Sequence, residues 1–142
     1  ALVEGVVPGG GVALIEALNR LTIKPIEMSA DEVKGYDIVR KTCFAPFKKI
    51  LENCGIEDYH SILRDLADVK MSDSSGGNYY TYDAKTSNIV DATTTGLLDP
   101  AKVTRTAIEN AASVAGTILT TESIVFEKKD DKKEEEGMMP QF

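Results

Sequence analysis

Three consecutive glycines, Gly9, Gly10 and Gly11, follow Val6-Val7-Pro8 and run directly into Val12-Ala13-Leu14. With no Cβ, such a run lets another backbone or a ligand come close. Ahead of a helix it also faces the positive end of the dipole, which favours anions. The spacing fits neither the dinucleotide fingerprint nor the phosphate loop with its Lys and Ser/Thr. On spacing alone, tight packing of chain on chain is the ordinary use of a glycine run, and contact with a ligand is the alternative.

The rest of the chain is punctuated as helices. A helix is expected over about 12–21, with Val12, Ile15 and Leu18 on one face. Pro25 interrupts it, and Ser29-Ala30-Asp31-Glu32 has capping-box spacing for a second helix whose stripe is Val33, Tyr36, Val39 and Cys43. Pro46 suits the first turn of a third helix carrying Phe47, Ile50, Leu51 and Cys54, with Gly55 as its stop. Asp58 caps a fourth, to about Lys70, with Ile62, Leu63, Leu66 and Val69 inward. Residues 71–77 are rich in Ser, Gly and Asp and read as a loop. Residues 78–82 and 88–91 are β-prone and flank a turn-like stretch, which predicts a hairpin.

The longest helix is expected from Pro100 to about Thr120, with Asp99 as its cap. Its stripe (Val103, Ala107, Ile108, Ala111, Val114, Ala115, Ile118) contains small residues that let a neighbour close in, so it is expected at the centre of the domain. Ser123-Ile124-Val125-Phe126 is expected as one short edge strand, whose partner is the hairpin or another chain. The fold class is therefore mainly α, with a small β-hairpin and a C-terminal edge strand. The domain is expected over 1–127 and a charged, mobile tail over 128–142, after the mixed run Glu127 to Glu136 with its four lysines and six acids.

Composition narrows the function classes. The 142 residues carry a net charge of −7, which makes a grip on nucleic-acid phosphates a poor candidate. No apolar run approaches the ~20 residues of a membrane span, and no secretory signal opens the sequence. Cys43 and Cys54 lie too far apart along a helix to bridge, and two buried thiols in a reducing compartment is the expectation. One histidine, His60, and no Cys/His cluster give no zinc spacing and no histidine-based nucleophile set. His60 is expected at the surface. Asp99 is a helix cap by its spacing, while a carboxylate there also suits ribose hydroxyls. The sequence opens at Ala1 already in mid-pattern, so it is expected to be the C-terminal piece of a longer protein.

Three blocks in order carry a resemblance. They are 6–14 (Val-Val-Pro-Gly-Gly-Gly-Val-Ala-Leu), Ala45-Pro46 through Asn53-Cys54-Gly55, and 96–105 from Gly96-Leu97-Leu98-Asp99-Pro100 to Arg105. With Ala111-Ala112-Ser113-Val114-Ala115-Gly116 and Thr120-Thr121-Glu122, the chain resembles group I chaperonins, the GroEL family, to about Val125. The resemblance implies the C-terminal half of the equatorial domain, a helical module that holds ATP and builds a ring of identical subunits. It puts the family's nucleotide-binding glycine pair on Gly9 and Gly10, its adenine-side loop on Asp83 and Ala84, its base contact on Leu97 and its ribose contact on Asp99. The terminal strand is implied to pair with a neighbouring subunit.

The same resemblance implies an ATPase acting with Mg²⁺, whose metal-binding and water-activating aspartates lie outside this stretch, so the fragment alone is expected to be inactive. Unfolded client proteins and a co-chaperonin lid are implied to bind through other domains. The expected location is the cytoplasm, with an organelle matrix as the alternative. Three departures from the family stand out: a hairpin one residue longer, Asp83 where Asn is common, and a charged tail without Gly-Gly-Met repeats. The alternative function is an assembly module that binds no nucleotide.

Overall fold

The structure, a computed structural model, describes residues 3–21, 28–73 and 79–125. In chain order it runs β1 (Val6–Pro8), α1 (Ala13–Arg20), α2 (Ala30–Thr42), α3 (Ala45–Asn53), α4 (Tyr59–Ser72), β2 (Tyr80–Asp83), β3 (Asn88–Asp91), α5 (Ala92–Thr95), β4 (Leu98–Pro100) and α6 (Ala101–Leu119). Helices dominate, as the punctuation predicts.

The helix starts follow local chemistry. The Ser29 hydroxyl accepts from the Glu32 N–H, and the Glu32 carboxylate accepts from the Ser29 N–H at 2.7 Å, a complete capping box. Those bonds hold the Glu32 carboxyl below its ordinary range. Asp58 accepts from the Ser61 N–H and opens α4. Pro46 sits in the first turn of α3, where its missing N–H costs nothing. α4 runs on to Ser72, past the expected end at Lys70.

The core gathers where α1, α3 and α4 meet. Val12, Ile15, Phe47, Leu51 and Leu66 are buried together, and Tyr80, Tyr82, Ala84 and Ile89 of the hairpin close over them. Each large apolar side chain so buried contributes about 1.5–3 kcal/mol. Glu16 of α1 and Lys70 of α4 add a partly buried ion pair beside this junction.

Two antiparallel pairs complete the fold. The expected hairpin forms as β2 with β3, Tyr80 opposite Asp91 and Asp83 opposite Asn88. The second pair was not foreseen: β1 pairs with β4, placing Val6 opposite Pro100, Val7 opposite Asp99 and Pro8 opposite Leu98. Three-residue strands are too short to show a period, so only the folded chain reveals them.

Several expectations are corrected. Asp99 does not cap α6: β4 continues through it, Pro100 takes the cap position in an extended conformation, and no side chain caps the helix. α6 is not central among the described residues, since none of its residues is buried and every residue from Glu109 to Val125 is exposed. Residues 123–125 form no strand, and Val125 is 97% exposed; Phe126, the last of the expected strand, lies outside the described residues. So do 74–77 of the expected loop, residue 78 of the expected hairpin, and the expected tail, 128–142. Cys54 is exposed rather than buried, because α3 ends there and Gly55 turns the chain away. Cys43 is buried, which pushes its thiol up. The stripe of α2 is shallow, with no buried residue inside the helix.

Candidate functional site

The glycine run is built into the junction from three sides. The Gly9 N–H donates to the Leu97 carbonyl at 2.8 Å. A Cβ on Gly9 would stand 2.9 Å from that same oxygen, closer than a side chain tolerates. Gly10 takes φ +70°, and a Cβ there would meet the Thr81 hydroxyl at 3.0 Å and the Tyr82 carbonyl at 3.3 Å. Gly11 takes φ +78°, and a Cβ would lie 2.6 Å from the Phe47 N. Left-handed backbone and absent volume are both needed here, and only glycine supplies both. Close packing is thus established for the run, and β1, β2, α3 and the turn before β4 are locked together by it.

Thr81 is the residue that sequence reasoning missed. It is fully buried, and its hydroxyl donates to the Gly9 carbonyl at 2.8 Å. The sequence marks it only as a β-prone spacer between Tyr80 and Tyr82. Strand alternation does put it on the opposite face from both tyrosines, but nothing in the sequence says that this is the face turned toward the glycines.

Beside the glycines lies a groove of about 260 Å³ between the start of α1, α3 and the β4–α6 corner. Leu14, Pro46, Ile50, Val103 and Ala107 give it apolar walls, and Asp99 stands on its rim. Asp99 is exposed, and among the described residues no donor holds its carboxylate. No Lys or Arg lines the groove. Its volume falls short of the roughly 300–1,000 Å³ of a complete ligand pocket. It suits the apolar face of a base and one hydroxyl-bearing ring, and it offers nothing to neutralise phosphates.

The candidate residues fall into two neighbouring groups. Gly9, Gly10 and Leu97 are joined directly, and Gly10 lies against Tyr82, the residue before Asp83. Asp99, two positions after Leu97, faces the groove instead, next to Gly11. Asp83 and Ala84 do not line that groove. Asp83 is bound within its turn, accepting from the Thr86 hydroxyl at 2.8 Å and the Lys85 N–H at 2.9 Å. Those bonds, the Thr86 hydroxyl foremost, hold its carboxyl below the ordinary range. Ala84 packs on the core.

One further contact braces the site. Arg105 of α6 grips Glu4 through two bonds of 2.8 and 3.1 Å, and Glu109 through two of 2.8 and 2.9 Å. The guanidinium thereby holds the Glu4 carboxyl low. Glu4 lies just ahead of β1, so this bridge fixes β1 beside α6. A larger apolar groove of about 720 Å³, between α1, α2 and α6, has Leu18, Tyr36, Val39 and Ile108 in its walls and contains none of the candidate residues.

Fold and site together define a mainly helical module in which a glycine turn adjoins an apolar groove with one free carboxylate. A sequence model of the TCP-1/cpn60 chaperonin family matches residues 1–129. The chain belongs to that family, whose role is protein folding.

Proposed function

We propose that this chain is the C-terminal half of the equatorial domain of a group I, ATP-dependent protein-folding chaperonin, supplying adenosine-side contacts and contacts between identical ring subunits. The observation that carries the nucleotide reading is Asp99, an exposed carboxylate with no partner among the described residues at the rim of an apolar groove. A carboxylate accepts from two hydroxyls at once, as a ribose presents them. Leu97 lies two residues before it and is bonded to the Gly9–Gly10 turn, Asp83 ends the strand on which Gly10 rests, and Ala84 comes next. On this reading ATP arrives with Mg²⁺, and the aspartates that hold the metal and activate water come from elsewhere in the subunit. Phosphoryl transfer depends on such groups. The protein's home is then the cytoplasm or an organelle matrix, and clients and a co-chaperonin bind elsewhere on the subunit.

The test is calorimetric titration of the full-length subunit with ATP and Mg²⁺, alongside its native mass. Saturable ATP binding by a ring-sized assembly is expected. A ring that binds no ATP would leave the chain an assembly module.

A further inference from the structure

Gly9 is held at both of its polar atoms by different parts of the fold. Its N–H goes to Leu97 ahead of β4, and its carbonyl receives the Thr81 hydroxyl from β2. No peptide bond among the described residues is cis. In a trans peptide the carbonyl and the next N–H point in opposite directions. Drawing the Gly9 carbonyl toward β2 therefore turns the Gly10 N–H away from β2. Among the described residues nothing accepts from that N–H. A donor left without an acceptor, in a peptide fixed by a buried hydroxyl, is a preorganised contact for an oxygen-bearing ligand.

We propose that Thr81 is a positioning residue for nucleotide: its hydroxyl fixes the Gly9–Gly10 peptide so that the Gly10 N–H is presented to an oxygen of the bound nucleotide. This rests on the nucleotide reading above. The side chain is suited to the task, because β-branching restricts χ1 and keeps the single hydroxyl donor on its acceptor. Total burial of Thr81 also excludes water that would otherwise compete for the Gly9 carbonyl.

Two substitutions in the full-length subunit separate hydroxyl from volume. Thr81→Val keeps the shape and loses the donor, while Thr81→Ser keeps the donor and loses the methyl group. Three readouts are taken: ATP affinity by calorimetry, the melting temperature of the apo subunit, and hydrogen exchange of the peptide covering residues 6–14. We expect Thr81→Val to weaken ATP binding roughly threefold to tenfold, the worth of one hydrogen bond. Exchange in 6–14 should rise with it. Thr81→Ser should bind within about twofold of wild type and retain slow exchange, although its melting temperature falls through the lost methyl group. A merely structural role would make affinity follow melting temperature in both variants. Equal affinities for Val, Ser and wild type, or equal losses for Val and Ser, would overturn the proposal. Should the wild type bind no ATP, the nucleotide reading fails, and with it the ligand that Gly10 is said to meet. Exchange in 6–14 then still decides whether the hydroxyl holds the turn.

Discussion

At the scale of single residues, some carboxylates are bound by the fold and others, Asp99 among them, are not. Asp91 belongs to the first kind, accepting from the Thr93 N–H at 2.7 Å and from the Thr94 N–H. The Thr93 N–H chiefly holds its carboxyl below the ordinary range. A depressed folded-state value means that the stabilisation is complete above the unfolded value of about 3.9 and is lost as pH falls through the folded one. Asp91→Asn should therefore melt below wild type at neutral pH, and the gap should narrow as pH falls below about 4. A gap independent of pH would show that the charge contributes nothing. Asp99 has no such partner among the described residues. Since it caps no helix, Asp99→Asn and even Asp99→Ala should leave the melting temperature of the apo subunit unchanged, whereas a true cap loses about 1 kcal/mol to Ala. ATP affinity should drop several-fold in Asp99→Asn, because a charge-assisted bond is worth about 1.5–3 kcal/mol against roughly 1 for a neutral one. Calorimetry at fixed salt, paired with thermal melts, reads both.

At the scale of elements, what the sequence discloses is what is locally encoded. The capping box at Ser29, Pro46 in the first turn of α3 and Asp58 ahead of α4 each act within a few residues, so the helices they open are found where spacing puts them. The hairpin is legible for the same reason. β1 and β4 are not, because their pairing is decided by partners far apart in the sequence. Asp99 was misread through that gap, for Asp before Pro is a cap only when the strand does not run through it. Of the candidate site, the glycines and Asp99 are visible in the sequence, while Thr81 acquires its role only from the turn packed on it. Two predictions belong here. α2 has no buried residue within the helix and leans on its capping box, so Ser29→Ala should destabilise it by about 1 kcal/mol. Faster exchange confined to 30–42 would confirm this, and unchanged exchange would refute it. Gly11→Ala combines a left-handed backbone with a Cβ only 2.6 Å from α3, so a loss on the order of 2–4 kcal/mol is expected. Denaturant midpoints measure it, and a loss under 1 kcal/mol would mean that α1 and α3 adjust easily.

At the scale of the whole molecule, α6 governs behaviour. Val114, Ile118 and Leu119 are 59%, 58% and 83% exposed, and the 720 Å³ apolar groove lies open beside α1 and α2. Surfaces of that kind drive association. Expressed as these 142 residues alone, the chain should be aggregated or molten, and it should not turn over ATP. A sharp cooperative melt from a clean monomer, or Mg²⁺-dependent hydrolysis above a mock preparation, would contradict this. The β1–β4 ladder carries a consequence in time rather than in space. During synthesis Gly9 emerges before its partner Leu97 and the strand that follows, which appear only after the helices and hairpin between them. Closing so long a loop is entropically costly, and it is repaid only once the intervening core has condensed. A nascent chain stalled before residue 97 therefore holds a glycine turn with nothing to bind its Gly9 N–H, and the groove beside it lacks the wall that α6 provides. The glycine turn and its groove are completed only after residue 97 and the start of α6 have been made, and a chain truncated before them cannot acquire either.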